Sequence, residues 1–167
     1  NTNTFTYDNP EGFRAEAKKI FEDMKKDGAE ATIIYMHWGD EYAARPSESR
    51  QVKFAKIINE LGYDVIVGSH PHVIQAVDTL KNEAGHETVC IYSVGNSISN
   101  QRKEIMSEDN HSGHTEDGVV FEVTFDEGIT RKAYFGKVWS KAFQEWHYVV
   151  QDGEHTPQLA YNEKAAV

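Results

Sequence analysis

Two apolar runs, each followed by histidine, constrain the fold of this chain more than any other feature. The run from Asp64 to Val67 leads into the segment Gly68-Ser69-His70-Pro71-His72. A short run of β-branched residues closed by glycine is typical of a buried strand. Open α/β sheets bind ligands beyond the carboxyl ends of their strands. The sequence therefore predicts that His70 and His72 lie in a site at a strand end.

The second run, Ala31 to Met36, delivers His37 in the same way. In an extended His-x-His segment the two histidines share one face, and Pro71 stiffens the backbone between them. A single histidine after a strand is more often a hydrogen-bonded loop residue than a ligand. Neutral imidazole is nevertheless the commonest metal ligand, and three histidines are expected at one sheet edge. The set favours a metal site formed by His37, His70 and His72.

Amphipathic patterns predict two helices around the first run. One begins after the capping residue Asn9, with Pro10 in its first turn, and ends at Gly28. The other begins after Ser47, ends at Gly62 and joins the two runs into a β-α-β unit. Because neither run alternates with polar residues, we expect both strands to be parallel and covered by helices. The inward residues are Phe13, Ala17, Ile20, Phe21 and Met24 in the first helix and Gln51, Phe54, Ala55, Ile58 and Leu61 in the second.

Beyond His72 the pattern changes to paired strands separated by turn residues. The fold class predicted is α/β (α+β), in which the β-α-β unit is followed by antiparallel hairpins. We expect a polar loop over 97–117 and a polar tail over 152–167. The predicted strands are Val73 to Leu80 with Thr88 to Ser93, Val119 to Phe125 with Ile129 to Trp139, and a last one around Trp146 to Val150.

Composition limits the partners. The formal net charge of −10 disfavours nucleic acid and anionic membrane surfaces, which need a basic stripe. No stretch approaches the ~20 apolar residues of a membrane span, so we expect no membrane contact by this segment. The single cysteine, Cys90, lies in an apolar run and is predicted to be a buried, inert thiol.

Several polar residues near the histidines are candidates for supporting roles. Tyr42, Arg45 and Asn96 are the candidate substrate-binding residues, and Asn96 could instead hydrogen-bond a ligand histidine or simply form a turn. Arg45 and its neighbour Arg50 could pair with an anionic substrate, although a helix surface also accounts for them. Asp40 and Glu41 are the nearest carboxylates that could hold two metal ions together, although we expect both to face solvent. The loop histidines His111 and His114 could form a metal-binding pair, but we expect them to be solvated.

Three segments together carry a resemblance to a known family. They are His37-Trp38-Gly39-Asp40-Glu41-Tyr42, then Gly68 to Gln75, then Tyr92-Ser93-Val94-Gly95-Asn96. In order and spacing they resemble the motifs of CapA-type capsule synthesis proteins, the poly-γ-glutamate family with a calcineurin-like metallophosphoesterase fold. The resemblance covers Thr32 to about Asn100.

The resemblance implies a dinuclear site and its biological setting. His37 would correspond to the single histidine ligand that follows the early motifs in the superfamily's sequences. His70 and His72 would correspond to its Gly-x-His-x-His pair, whose two histidines serve different ions. Two divalent ions (Mn, Fe or Zn) would act on an anionic polymer or phosphate-containing substrate. It also implies partners in the capsule synthesis machinery, a parent protein compatible with membrane anchoring, and a location on the extracellular face of the bacterial membrane.

The early motifs of that superfamily, with their aspartate ligands and an Asn-His segment, have no counterpart before His37. We therefore expect residues 1–167 to be the C-terminal part of a larger domain, with an incomplete metal site and no turnover by itself.

Three classes of function stay open. The first is a metal-dependent hydrolase in the intact parent protein, and the second is a polymer-binding or assembly module without turnover. The third is an unrelated histidine-rich metalloenzyme such as an amidohydrolase. This third class requires strands and helices to keep alternating after His72, and hairpins are predicted there instead.

Overall fold

The computed structural model describes residues 3–97, 99–102, 106, 114–126, 129–140 and 145–148. Helix α1 spans Pro10–Lys26, and the side chain of Asn9 accepts a hydrogen bond from the backbone nitrogen of Gly12 at 2.9 Å. The predicted cap and the proline at the helix start are therefore confirmed. Phe13 and Ala17 are buried on its inner face.

Helix α2 spans Lys53–Leu61 and ends at Gly62, whose φ of 93° is in the left-handed region that favours glycine. A π-helical turn, Glu48–Val52, precedes it. Ser47 lies at the cap position before this turn, where the sequence predicts the helix to begin, but its side chain makes no capping hydrogen bond. The backbone nitrogen of Ser47 instead donates to the side-chain oxygen of Gln51 at 3.0 Å.

The central sheet has four strands in the order β1-β2-β4-β3. β1 runs parallel to β2 and β2 runs parallel to β4, whereas β3 and β4 form an antiparallel hairpin. This arrangement confirms the α/β class, the β-α-β unit and the hairpin after it. The strands are β1 Ile33–His37, β2 Val65–Ser69, β3 Val77–Lys81 and β4 Glu87–Ile91.

Strand β1 corrects one expectation. It lies at the edge of the sheet, and its side chains Ile33 and Tyr35 are 55% and 64% exposed. The other face, with Met36, packs into the core that α1 and α2 cover. The prediction that both parallel strands are buried on both faces is therefore wrong for β1, because helices cover only one of its faces.

A second, antiparallel sheet follows in the order β5-β6-β7. Its strands are β5 Gly118–Asp126, β6 Ile129–Ser140 and β7 Glu145–Tyr148, which confirms the later hairpins. Within the predicted polar loop a short 3-10 turn spans His114–Glu116. The predicted tail, 152–167, lies outside the described residues.

The core between α1, α2 and the sheet is aromatic. Phe54 is fully buried, and its ring centroid lies 5.0 Å from that of Phe13 and 5.3 Å from that of Phe5. Cys90 is also fully buried, and burial raises the pKa of its thiol well above the ordinary value. That result agrees with the predicted inert thiol. Neither described helix is long and apolar enough to cross a membrane.

Candidate metal centre

The pairing of β1 with β2 brings the predicted histidines together. His37 is the last residue of β1, and its backbone pairs with Ser69 at the end of β2, one residue before His70. The ring centroids of His37 and His70 lie 4.5 Å apart, and those of His70 and His72 lie 6.1 Å apart. The prediction that three histidines meet at one sheet edge is confirmed in its geometry.

The indole of Trp38 and the backbone at Gly68 pack closely at this edge of the sheet. The indole nitrogen of Trp38 is buried and donates to the carbonyl oxygen of Tyr92 at 2.9 Å. A Cβ atom on Gly68 would overlap that oxygen and would lie 2.5 Å from the indole nitrogen. Glycine is therefore required at position 68, because the backbone of β2 lies directly against the hydrogen bond between Trp38 and Tyr92.

The backbone at the site is unusual. Among the described residues the non-glycine residues with positive φ are Tyr42 (62°), His70 (100°) and His72 (61°). Such conformations cost on the order of 1–3 kcal/mol each and cluster at functional sites. The hydrogen bond from the backbone nitrogen of Tyr42 to the carbonyl oxygen of Pro71, at 2.8 Å, holds the two strained loops against each other.

The surroundings of His70 lower its pKa and so favour the neutral imidazole. Burial lowers its pKa below the ordinary value of 6.5, and the neighbouring His37 lowers it further, against the opposite effect of Glu41. A neutral imidazole keeps a free lone pair, which a metal ion requires. The donor set therefore fits a divalent metal.

The amide of Asn96 determines the tautomer of His72. Its nitrogen donates to the backbone carbonyl oxygen of Thr115 at 3.0 Å, and a carbonyl can only accept. The amide oxygen must then face His72, and it lies 2.9 Å from Nδ1. Nδ1 consequently donates this hydrogen bond, and Nε2 lies on the other side of the ring. Asn96 therefore hydrogen-bonds His72, one of the three candidate ligand histidines.

Tyr42 supports the same histidine. Its ring stacks on His72 with centroids 5.9 Å apart, and its hydroxyl accepts a hydrogen bond from Gln101 at 3.2 Å. Arg45 is exposed, and its carbonyl oxygen accepts a hydrogen bond from Gln75 at 3.3 Å. Substrate binding by Tyr42, Arg45 and Asn96 stays a prediction.

The two neighbouring carboxylates have different partners. Asp40 forms an ion pair with Arg50, whose guanidinium also lies over the ring of Tyr7 at 5.4 Å. Glu41 instead lies with the histidines, and its Oε1 is 3.7 Å from Nε2 of His72. Glu41 is exposed, as the sequence predicted, and also lies near His72.

A buried glutamine pair connects the loop to the helix, and sequence reasoning missed it. The side-chain nitrogen of Gln51 donates to Gln75 at 2.7 Å, and Gln75 donates to the carbonyl oxygen of Ala43 at 2.7 Å. The amphipathic pattern predicts the inward position of Gln51 but not its hydrogen-bond partner. A polar side chain at a buried helical position needs a hydrogen-bond partner, and this requirement could have indicated that Gln51 has one.

His114, one of the two loop histidines, does not join the site. His114 is exposed and lies 3.6 Å from a carboxylate oxygen of Asp117, and His111 falls outside the described residues.

An α/β domain with histidines gathered beyond its parallel strands is a candidate metal-binding domain, and comparison with known proteins gives its family. Residues 2–101, more than half of the chain, match the family described as "Bacterial capsule synthesis protein PGA_cap". The chain belongs to this family, which confirms the resemblance of its motifs. His37, His70, His72 and Asn96 all lie within the matched residues.

Two curated relatives are similar to part of the chain. The capsule biosynthesis protein CapA of Bacillus anthracis is 38% identical over 93 residues, which are 56% of this chain and 21% of the relative. The PGA biosynthesis protein CapA of Bacillus subtilis (strain 168) is 36% identical over 76 residues, or 46% of this chain and 18% of the relative. The matched part of the chain thus spans about a fifth of each relative's length.

Proposed function

We propose that this chain supplies the histidine part of a metallophosphatase-like metal centre that acts in capsule synthesis. The observation that carries the proposal is the position of His70, between His37 on one side and His72 on the other, with a lowered pKa. Membership of the capsule synthesis family supports the biological setting. The name of the Bacillus subtilis relative supports poly-γ-glutamate as the polymer concerned.

A divalent ion bound here would supply positive charge to polarise a phosphoryl oxygen or to lower the pKa of a water molecule. The chain's own residues do the rest. His37, His70 and His72 would provide the nitrogen ligands, and the hydrogen bond to Asn96 fixes the orientation of the His72 ring. Manganese, iron and zinc all accept imidazole together with carboxylate, so each fits this donor set.

The charge of the chain favours a metal-dependent function over plain polymer binding. With a formal charge of −10 and the carboxylates Asp40 and Glu41 beside the histidines, the site repels an anion until a cation neutralises it. We propose an extracellular, metal-dependent hydrolase that acts on an anionic polymer or a phosphate-containing substrate. The proposal includes further ligands from the part of the longer relatives that this chain does not match.

Calorimetric titration of the chain with Mn²⁺ and Zn²⁺ tests the metal site. We expect binding that His70→Ala removes and that His86→Ala preserves, because His86 lies at the opposite end of the strands. Equal binding by the wild type and by His70→Ala would reject the site.

Hydrolysis is tested in a protein of the relatives' length. Metal-dependent cleavage of an activated phosphodiester should disappear with His70→Ala. Cleavage that persists in this variant would contradict the proposal.

A further inference from the structure

A chain of side-chain hydrogen bonds leads from Thr115 to the hydroxyl of Tyr42. Thr115 is buried, and its backbone carbonyl oxygen accepts a hydrogen bond from the side-chain nitrogen of Asn96 at 3.0 Å. The same nitrogen donates to the side-chain oxygen of Gln101 at 3.0 Å. The side-chain nitrogen of Gln101 lies 3.2 Å from the hydroxyl oxygen of Tyr42. Because a carbonyl oxygen can only accept, each of the two amides has one possible orientation.

The last bond of this chain determines the role of the Tyr42 hydroxyl. An amide nitrogen can only donate, so the hydroxyl oxygen accepts from Gln101. A phenol hydroxyl also has one proton of its own, which this bond does not use. Within the part of the chain that the structure describes, Gln101 is the one hydrogen-bond partner of this hydroxyl. Tyr42 therefore has a hydrogen-bond donor for which these residues supply no acceptor.

The backbone and the ring of Tyr42 are held beside the candidate metal centre. The ring stacks on His72 with an angle of 28° between the two planes. The backbone nitrogen donates to the carbonyl oxygen of Pro71, and the φ of 62° is a strained conformation for a residue other than glycine. The hydroxyl is thus oriented before a ligand arrives, which lowers the entropy lost on binding.

From this arrangement we propose that the hydroxyl of Tyr42 is a substrate-binding donor that bonds an anionic oxygen of the group held at the metal centre. The inference rests on the metal centre of the proposed function and adds a contact with the substrate. The ligand class is an oxyanion, either a phosphate or the carboxylate of an acidic polymer. One oxygen of such a group would face the cation while another accepts from Tyr42. Hydrogen bonds to ionised acceptors are roughly twice as strong as those between neutral groups.

Asn96 and Gln101 are positioning residues in this proposal. Both hydrogens of the Asn96 amide are used, one by Thr115 and one by Gln101, and its oxygen lies 2.9 Å from Nδ1 of His72. Gln101 is oriented by Asn96, and its backbone carbonyl oxygen accepts a hydrogen bond from the hydroxyl of Thr115 at 2.7 Å. The spare donor of this group of residues is therefore at Tyr42.

A neutral donor suits an acidic site. Oε1 of Glu41 lies 3.7 Å from Nε2 of His72, and the formal charge of the chain is −10. A cationic side chain in such surroundings pairs with a carboxylate of the protein, as Arg50 does with Asp40. The hydroxyl of Tyr42 instead keeps its proton for an incoming oxyanion, because Gln101 occupies it only as an acceptor.

Calorimetric titration of the Mn²⁺-loaded chain with inorganic phosphate and, separately, with acetate tests the inference. Tyr42→Phe keeps the stacked ring and removes the hydroxyl. We expect it to weaken the binding of at least one of the two anions about tenfold, as loss of a hydrogen bond to a charged group does, and to change Mn²⁺ affinity by less than about twofold. The anion affected identifies the substrate group. Tyr35→Phe removes an exposed tyrosine hydroxyl on β1 and should bind both anions like the wild type.

Gln101→Glu tests the direction of the hydrogen bonds. A carboxylate at this position can only accept, so it takes the Tyr42 proton and leaves none for the ligand. In the Gln101→Glu background, Tyr42→Phe should therefore change anion binding by less than about twofold. Both proteins of that comparison have the added charge, so its effect cancels. A tenfold loss in this background as well would show that Gln101 does not direct the proton and would overturn the assignment.

The remaining outcomes distinguish the inference from the proposed function, with far-ultraviolet circular dichroism establishing that every variant is folded. If the wild type binds Mn²⁺ and Tyr42→Phe binds both anions equally well, Tyr42 is not a substrate-binding donor and the metal centre stands. The inference is also wrong if the Mn²⁺-loaded wild type binds neither anion, or if Tyr42→Phe weakens Mn²⁺ binding as much as anion binding. If the wild type does not bind Mn²⁺, the proposed metal centre is wrong and the inference fails with it.

Discussion

The parallel strands of the central sheet carry polar residues at both ends, and the two ends differ in what those residues do. At the amino ends, Asp64 accepts hydrogen bonds from the backbone nitrogen and the hydroxyl of Thr32, both at 2.8 Å. Nε2 of His86 donates to the carbonyl oxygen of Tyr63 at 2.9 Å. At this end of the sheet these polar groups have hydrogen-bond partners within the protein.

At the carboxyl ends the histidines contact each other. His37 and His70 are ring neighbours, Nε2 of His72 lies 3.7 Å from Oε1 of Glu41, and His70 and His72 both have positive φ. Native structures normally pair their buried polar groups and avoid such backbone strain. One end of the sheet therefore contributes stability, whereas the other brings exposed and partly buried histidines together on a strained backbone.

The largest difference between the ends should come from adding one methyl group. Gly68→Ala places a Cβ against the Tyr92 carbonyl, and backbone cannot move aside, so we expect a loss of about 3 kcal/mol in unfolding free energy. Gly85→Ala, in the β3–β4 turn with φ 83° and nothing within 4 Å of the new atom, should lose only about 1 kcal/mol. Urea denaturation measures both. Equal losses would show that the close approach at Gly68 is not rigid.

The next largest loss of stability is expected when the buried carboxylate of Asp64 is removed. Asp64→Ala leaves the amide and hydroxyl of Thr32 without their acceptor and should cost about 2 kcal/mol of stability. Zinc affinity of the folded protein should not change. His70→Ala should show the reverse, with lost zinc binding and a stability change within about 0.5 kcal/mol. A common effect of both variants on stability and on zinc binding would remove the distinction between the ends.

A smaller effect is expected from the residue that orients His72. Asn96→Leu removes the acceptor for Nδ1 and should weaken zinc binding about tenfold, whereas Asn96→Asp keeps an acceptor oxygen and should bind at least as well as the wild type. Nitrogen-15 chemical shifts of the imidazole report the tautomer directly. If Nδ1 of His72 is unprotonated in the wild type, the orientation derived from Thr115 is wrong.

The smallest expected effect is on the pH dependence of stability. His70 has a lowered pKa in the folded chain, chiefly through burial, whereas the unfolded chain takes up the proton near 6.5. As the pH falls below 6.5, protons bind the unfolded state first, so stability decreases until His70 is protonated in the folded state as well. Metal-free His70→Gln should lose less stability than the wild type between pH 7 and pH 5. Identical slopes for the two proteins would contradict the assigned shift.

Local signals explain what the sequence could predict. The Asn9 cap, the glycine at position 62 and the β-branched runs act over a few residues, so the helices, the parallel pair and the hairpins follow from them. The gathering of His37 and His70 also follows, because parallel strands end at the same edge.

Features that depend on distant partners could not be predicted. The exposed face of β1 depends on its edge position, and a local pattern does not reveal an edge. Asp40 and Glu41 are chemically alike in sequence, and only the loop path and Arg50 separate their roles. The partner of Gln51 is 24 residues away, so its inward position was predictable while its hydrogen bond was not.

The most direct test of the account is a crystal structure of the chain grown with zinc, with anomalous scattering measured at the zinc edge. The account predicts the strongest peak beyond the carboxyl ends of β1 and β2, bonded to His70 and to at least one of His37 and His72 at about 2.0–2.2 Å. A strongest peak at His86 and Asp64, or at His114 and Asp117, with no density between His70 and His72, would contradict it.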